Sequence, residues 1–311
     1  MEAQPKCNLI IDSCCDLPFE VIDRPGVQLL EFPYIDEKGE HSDDLYRTIT
    51  PHEFYEGMRA GSQPSTAQVP VTVFHDVFSK AIESGVPTVY LSFTSGLSGS
   101  FNTAVMMRAQ LIAEHPEAEL YVVDTYLASV AEALLVYEAL NQRDNGMTAR
   151  ELAAWAEEAR YFVDAEFMVD DLESLRRGGR IPSTVAYAGA KLDVKPLLNI
   201  SIEGKLALTG VARGRKKGIR QLAEYCSKRM TDQKPGRCVV IGNADCPKDA
   251  ARLQEALGKG DDSILFLESS IGPVIGSHVG PDMIAVVFWG NDKREELSVA
   301  DRIAKKVKGG E

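Results

Sequence analysis

The sequence lacks the residue spacing on which metal sites and disulfide frameworks depend. Its six cysteines, at positions 7, 14, 15, 226, 238 and 246, form no Cys-x-x-Cys pair, and its five histidines are scattered. Zinc sites are usually built from such closely spaced pairs, so the sequence predicts no metal site. Cys14 and Cys15 are adjacent, which is poor geometry for a disulfide, and we expect a reduced, cytoplasmic protein.

Positive charge is scarce as well. The chain carries 34 Lys and Arg side chains against 46 Asp and Glu, a formal net charge of −12 over 311 residues. Binding to nucleic acid or to an anionic membrane surface depends on positive charge, and the basic clusters are short, at 176–180 and 213–217. The sequence also lacks a signal-peptide pattern and an apolar run of membrane-spanning length. We expect no nucleic acid partner and at most transient membrane contact.

Familiar phosphate-binding motifs are missing too. The turn TSGLSGS at 94–100 follows an apolar run and precedes a helical pattern, but it contains neither a Walker Gly-Lys-Ser/Thr nor G-x-G-x-x-G. A strand–turn–helix unit of this kind directs backbone N–H groups toward one point, and the N-terminus of a helix favours an anion. The turn therefore predicts a site for an anion other than a nucleotide.

What the sequence does contain is a regular alternation of apolar runs and helical patterns. In the first half the apolar runs predict strands at 7–12, 27–35, 88–93 and 119–124. Helical patterns separate or follow them, at 51–60, 72–84, 100–115, 129–142 and 148–161. This alternation is typical of a parallel sheet wrapped by helices. We predict an N-terminal parallel α/β domain over residues 1–164.

The second half predicts a second α/β domain over residues 165–311. Strands are expected at 166–171, 237–245, 263–269 and 283–290, and helices at 215–230 and 247–257. Residues 195–214 read as a hairpin that turns at Glu203-Gly204. The segment 301–311 is expected to end a helix.

Small polar residues crowd four loops of the first half, at 12–16, 61–68, 94–100 and 124–129. All but 61–68 follow predicted strands, and in doubly wound sheets ligands bind beyond the C-terminal ends of the strands. An ordinary helix cap would explain each loop alone. It does not explain why all of them are rich in hydroxyls and nearly free of Lys and Arg.

Two further segments of the second half stand out. The stretch IGPVIGSHVGP at 271–281 predicts a Gly/Pro-rich loop between two strands, with His278 near its end. Arg180 follows two glycines, and a salt bridge to Asp170 or Asp171 is the simplest expectation for it.

A serine esterase is one function that these residues allow. The segment 96–100, Gly-Leu-Ser-Gly-Ser, differs by one residue from the nucleophile elbow G-x-S-x-G. Ser98 would be the nucleophile, Asp124 its carboxylate and His278 its base, which is the order of these residue types in α/β-hydrolases.

The order of motifs along the whole chain resembles the DegV family, which includes the fatty acid-binding subunits of bacterial fatty acid kinase. Seven motifs over about 270 residues carry the resemblance: IIDSCCDLP (10–18), SQPSTAQ (62–68), TSGLSGSFNTA (94–104), VVDT (122–125), DDLESLRRGGRI (170–181), VKPLL (194–198) and IGPVIGSHVGP (271–281).

The resemblance implies a two-domain α/β fold with a long-chain fatty acid buried between the domains, and neither a cofactor nor a catalytic residue. The implied ligands of the carboxylate are Ser95, the leading one, with Ser62, Ser65, Thr66 and His278. The residues implied to shape the pocket are Asp12, Ser13, Thr94, Gly96 and Gly276. The implied partner is a separate ATP-dependent kinase, faced by Arg180 and Arg213, which would convert the bound carboxylate to an acyl phosphate.

Several points stay open. The chain has Gly61 before Ser62 where family members often have a Thr, so Ser62 or Thr66 would have to replace that hydroxyl, and Asp282 stands where Gly is usual. A carrier of some other apolar acid, without a kinase partner, is a further alternative. The candidates for contact with an acyl tail are Met106, Met107, Phe167 and Met168, although ordinary core packing is the better explanation for any one of them.

Overall fold

The computed structural model describes residues 5–182, 193–231, 237–259 and 263–296, and the predicted helix end at 301–311 lies outside them. The strands are β1 (Asn8–Asp12), β2 (Val27–Leu30), β3 (Pro33–Asp36), β4 (Gly39–Ser42), β5 (Ser65–Thr66), β6 (Thr88–Ser92), β7 (Leu120–Asp124), β8 (Val163–Met168), β9 (Val194–Ile200), β10 (Leu206–Arg213), β11 (Arg237–Asn243), β12 (Ile264–Ser270) and β13 (Ile284–Trp289). The α-helices are α1 (Phe19–Ile22), α2 (Pro51–Arg59), α3 (Val71–Glu83), α4 (Ser100–Glu114), α5 (Val130–Asp144), α6 (Ala149–Ala159), α7 (Glu173–Arg177), α8 (Arg215–Arg229), α9 (Pro247–Gly258) and α10 (Pro273–Val279). Short 3-10 turns cover Ser13–Cys15 and Lys293–Glu296.

The first half builds a parallel sheet in the order β2-β1-β6-β7. Every residue of β6 is buried, as expected for a strand that has helices over both faces. On one face, Phe74 and Phe78 of α3 pack against Tyr90, with ring centroids 6.0 and 5.9 Å away. The α/β class and the parallel sheet predicted from the sequence are confirmed.

The strand predicted over 27–35 is wrong as one element. It divides into β2 and β3, and β3 joins β4 and β5 in a separate antiparallel sheet. At the division, the backbone N–H of Phe32 donates to Ser13 Oγ (3.0 Å) and not to a neighbouring strand. The short β5 also places a strand inside the segment 61–68, which was predicted as a loop.

The second half builds a mixed sheet in the order β10-β9-β8-β13-β11-β12. Only the β11–β12 pair is parallel among these neighbours, and β9 and β10 form the predicted hairpin. Helices α8 and α9 pack together on one face of the sheet, whereas α5 from the first half contacts β8, β11 and β13. Helix α5 therefore lies between the two sheets. The domain boundary near residue 164 stays a prediction.

The segment 271–281 is not the loop predicted from its Gly and Pro content. It forms the short helix α10, with Pro273 at the first helical position, where a missing N–H costs no hydrogen bond. Two buried carboxylates accept from the start of this helix: Asp16 from Gly272 N–H (3.0 Å) and Asp43 from Val274 N–H (3.3 Å). These acids fix the helix that carries His278.

No helix in the described part of the chain is both long enough and apolar enough to cross a membrane.

Candidate functional site

An apolar cavity of about 270 Å³ lies between the six-stranded sheet and the strand ends of the parallel sheet. The six-stranded sheet contributes Ala165, Phe167, Ile200, Leu206, Ala285 and Val287. The first half contributes Cys14, Phe32, Phe93 and the start of α5, including Val130 and Ala131. Of the four residues expected to contact a tail, Phe167 lines this cavity, whereas Met106 is 64% exposed.

The polar side chains of the cavity lining include Thr66, Ser98, Arg180 and His278. Thr66 Oγ1 lies 2.8 Å from His278 Nε2, a hydrogen bond between β5 and α10. His278 Nδ1 is buried without a hydrogen-bond partner in the described structure. It lies against Gly178, where a Cβ would overlap it. The fold therefore leaves room for the imidazole ring, but the described residues supply a hydrogen-bond partner to Nε2 and none to Nδ1.

The imidazole of His278 is neutral at physiological pH. Burial, together with the positive charges of Arg180 and Arg177, lowers its pKa to about 4. A neutral ring has one nitrogen that donates and one that accepts, so His278 can donate to a carboxylate or accept from Thr66, depending on its tautomer.

Arg180 is half-buried and lines the cavity. Its Nε donates to the Leu97 carbonyl (3.1 Å) and its Nη1 to the Gly178 carbonyl (2.6 Å). The salt bridge expected with Asp170 or Asp171 is wrong, since Asp170 accepts from Lys195 Nζ (2.6 Å). Arg180 thus ties the turn at 94–100 to the end of α7 and brings a positive charge to the cavity.

The turn at 94–100 packs against the β9–β10 hairpin. Thr94 Oγ1 donates to the Gly204 carbonyl (3.0 Å), and a Cβ on Gly96 would overlap that same carbonyl. Ser95 is half-buried and lies outside the described residues that line the cavity; its backbone N–H donates to the Asp124 carboxylate (3.2 Å). Its role as a carboxylate ligand stays a prediction.

The loop at 61–68 brings one of its three candidate hydroxyls to the cavity. Thr66 is among the lining residues, whereas Ser62 Oγ donates to Glu37 at the surface (2.6 Å) and Ser65 is exposed. Ser65 pairs with Ile35 of β3, and this pairing turns Thr66 and Ser65 to opposite faces. Ligand roles for Ser62 and Ser65 therefore stay predictions.

Asp12 and Ser13 support the cavity wall from behind. Asp12 accepts from the backbone N–H groups of Phe93 (2.7 Å) and Cys14 (3.1 Å), two residues that line the cavity. Ser13 Oγ accepts from the N–H of Phe32, a third lining residue. Burial raises the pKa of Asp12 to about 7.

Gly276 and Asp282 flank His278 in contacts with α2. A Cβ on Gly276 would overlap Tyr55 Oη, so this glycine lets α10 pack closely on α2. Asp282, which stands where the resemblance noted in the sequence implies Gly, adopts φ +63° and accepts from Arg59 Nη2 (2.8 Å). Asp282 therefore adds an ion pair with the first half of the chain.

The arrangement needed for a serine esterase is not formed among the described residues. Ser98 Oγ donates to Ser100 Oγ (3.1 Å), and His278 Nε2 lies next to Thr66. The Asp124 carboxylate accepts from the backbone N–H groups of Ser95 and Tyr126. A catalytic triad needs hydrogen bonds between nucleophile and base and between base and carboxylate, and these residues make others.

Sequence reasoning missed two buried polar groups beside the cavity. Ser129 lines it and donates to Asp16 (2.5 Å) from a backbone with φ +56°. Glu132, in the first turn of α5, is fully buried, and neither carboxyl oxygen has a hydrogen-bond partner in the described structure. Burial raises its pKa well above the usual value. The polar loop at 124–129 was a signal for Ser129, whereas Glu132 is indistinguishable in sequence from a surface residue.

Arg213 lies away from the cavity lining, on the surface at the end of β10. It borders a groove of about 600 Å³ that also holds Arg215, Lys216, Lys217 and Arg220 from the start of α8. Arg180 and Arg213, grouped from the sequence as partner-binding residues, therefore occupy different environments.

Comparison with known proteins gives consistent matches. The profile of a family described as "Uncharacterised protein, DegV family" matches residues 6–291. A DegV domain-containing protein of Clostridium perfringens is 34% identical over 288 residues, which cover 93% of this chain and 99% of that protein. Among solved structures, a DegV lipid-binding protein of Thermotoga maritima is 28% identical, with a TM-score of 0.77 over 92% of this chain and 99% of the other. A fatty acid-binding DegV family protein of Thermus thermophilus is 28% identical, with a TM-score of 0.79 over 92% and 100%.

Proposed function

The chain belongs to the DegV family, and on this premise we propose that it binds a long-chain fatty acid in the cavity between its two sheets. The observation that carries the proposal is the cavity itself, whose mostly apolar lining includes Thr66, Arg180 and His278. Two relatives with the same fold are described as a lipid-binding and a fatty acid-binding protein, which supports this ligand class.

The tail would supply most of the binding free energy. Each buried methylene contributes about 0.8 kcal/mol, so roughly 14 methylenes give on the order of 11 kcal/mol before the costs of ordering the ligand. A carboxylate that enters an apolar cavity must keep hydrogen bonds or become protonated. Thr66 Oγ1, the His278 imidazole and the Arg180 guanidinium are among the groups in the lining that can donate to it. Ser95, Ser62 and Ser65 are proposed as secondary ligands.

The protein would act as a carrier and not as an enzyme. The chain has no nucleotide-binding motif, which fits a carrier, and in this proposal a separate cytoplasmic ATP-dependent kinase phosphorylates the carboxylate of the bound fatty acid. In this proposal Arg213 and Arg180 contact the kinase, and Arg180, which is half-buried and lines the cavity, also donates to the carboxylate. The alternative is a carrier of some other apolar acid without a kinase partner, which would bind a ligand but form no acyl phosphate in a phosphorylation assay.

The first test is denaturing extraction of the purified protein followed by mass spectrometry of the released small molecules. We expect a stoichiometric long-chain fatty acid. A protein that releases none and also fails to take up added palmitate or oleate would refute the proposal.

A Thr66→Val variant tests the carboxylate site. It removes the hydroxyl at nearly constant volume, and loss of one charge-assisted hydrogen bond of about 1.5 kcal/mol should weaken binding about tenfold. The matched control is Thr72→Val on the exposed side of α3, which should bind as the unaltered protein does. Equal affinities of the two variants for palmitate, measured by calorimetry, would show that Thr66 does not bind the carboxylate.

A further inference from the structure

The floor of the cavity is a row of side chains that crosses four strands. Val287 of β13 is paired with Ala165 of β8, and Ile200 of β9 is paired with Leu206 of β10. The β8–β9 register, in which Glu166 faces Asn199, places Ile200 beside Ala165. All four side chains of this row line the cavity.

Ala165 is the one small residue of that row. Paired residues in neighbouring strands have Cβ atoms about 5 Å apart, so a larger side chain at 165 would rise between Val287 and Ile200 into the cavity. In the adjacent row the small residue is Ala285, which is paired with Phe167. The space above Ala165 therefore belongs to the cavity because the side chain there is short.

The opposite wall is held in place. It includes Val130 and Ala131 from the start of α5, a helix that is buried between the two sheets. Val130 packs so tightly on β11 that a Cβ on Gly242 would overlap it. Because α5 is buried and Val130 is packed against β11, this wall does not move back to make room for a larger residue at position 165. The added side-chain volume therefore reduces the volume of the cavity.

From this geometry we infer that Ala165 sets the length of the acyl chain that the cavity accepts. The inference rests on the proposed fatty acid binding and adds its specificity determinant. A side chain larger than alanine at this position shortens the longest ligand that binds well, and removal of its large neighbour Ile200 has the opposite effect.

The test is calorimetry of Ala165→Leu with dodecanoate, tetradecanoate, hexadecanoate and octadecanoate, in protein from which endogenous lipid has been removed. Leucine adds three carbons, and exclusion of about three methylenes corresponds to roughly 60-fold weaker binding of the longest ligand. Dodecanoate should bind nearly as it does to the unaltered protein. Ala165→Val, with two added carbons, should give an intermediate shift, and Ile200→Ala should favour octadecanoate.

Ala212→Val is the matched control, because Ala212 is a buried alanine of the same sheet that lies against α8 near Gly218. It should leave the order of affinities unchanged. If Ala165→Leu fails to fold, Ala165→Val and Ile200→Ala decide the question. An unaltered order of chain lengths in both would overturn the role of Ala165 while fatty acid binding stands. Failure of the unaltered protein to bind any of the four acids would instead overturn the proposed function.

Discussion

At the scale of single residues, buried carboxyls hold the backbone around the cavity. Asp12 accepts from two backbone N–H groups and from Tyr90 Oη, and Asp43 accepts from the N–H groups of Leu45 and Val274. Burial raises the pKa of Asp12 to about 7 and that of Asp43 to about 7, from an ordinary value of 3.8. The folded protein therefore binds protons more tightly at these two sites than the unfolded chain does.

This difference predicts how stability depends on pH. The contribution of each acid is full below its unfolded pKa, near 4, and is lost as pH rises through its folded pKa, near 7. A shift of three units corresponds to roughly 4 kcal/mol for each group. We expect the free energy of unfolding, measured in denaturant between pH 5 and 8, to fall as pH rises.

The variant Asp43→Asn isolates one of these groups, because an amide keeps the acceptor oxygen but does not titrate in this range. Its stability should fall less steeply than that of the unaltered protein. His278 contributes with the opposite sign: its depressed pKa gives stability that is present above pH 6.5 and lost as pH falls toward 4. A pH profile that is identical in the Asn variant would show that Asp43 is not protonated in the folded state.

At the scale of elements, one close contact joins the turn at 94–100 to the β9–β10 hairpin. Gly204 has φ +70°, and a Cβ there would overlap Thr94 Oγ1. Gly204→Ala should therefore destabilise the protein by roughly 1–3 kcal/mol, from backbone strain and from the displaced hydroxyl. Gly210→Ala is the matched control in β10, since nothing lies within 4 Å of its Cβ position. Equal midpoints of urea unfolding for the two variants would contradict this reading of the contact.

The elements themselves were largely predictable from the sequence. Helical periodicity located α2 to α6, and the fully apolar run at 88–93 located β6. The division of the strand predicted over 27–35 was not predictable, because it depends on a hydrogen bond from Phe32 to Ser13, a residue of another loop. Helix α10 was missed because its N-terminal N–H groups bind Asp16 and Asp43, which are more than 200 residues away in the chain.

The candidate site was predictable to a smaller extent. Family motifs pointed to Thr66 and His278, which the fold brings within 2.8 Å of each other. They also pointed to Ser62 and Ser95, whose partners are Glu37 and Asp124. Motifs identify loops near a ligand but not the direction of each side chain, which depends on strand pairing and on neighbouring acids.

At the scale of the whole molecule, Arg59 connects the two halves of the chain. Its Nη1 donates to the Asp245 carboxylate (2.5 Å) and its Nη2 to the Asp282 carboxylate (2.8 Å), and the side chain is 28% exposed. Because one guanidinium serves two carboxylates across an interface, Arg59→Ala should cost about 1–2 kcal/mol, more than a single surface pair.

Arg220→Ala provides the comparison, because Arg220 forms a surface pair with Glu224 at 3.8 Å and is 68% exposed. Its loss should change stability by less than about 0.5 kcal/mol. Thermal unfolding of both variants at low and high salt measures the difference, which should shrink as salt rises. If Arg59→Ala lost no more stability than Arg220→Ala, the ion pairs of Arg59 would not stabilise the contact between the two halves of the chain.

The pairing of β8 with β13 has a consequence for synthesis of the chain. The parallel sheet has all its strands once residue 124 has been made, whereas β8, which pairs with β9, gains its second neighbour only with β13, which ends at Trp289. Such long-range pairing forms late, and domains generally fold from the N-terminus first as the chain leaves the ribosome. The part of α5 that contacts β11 and β13 therefore stays uncovered until the last of these strands has been made. The nascent chain carries an apolar surface but no binding cavity, so the ligand can enter only after translation of the second sheet is complete.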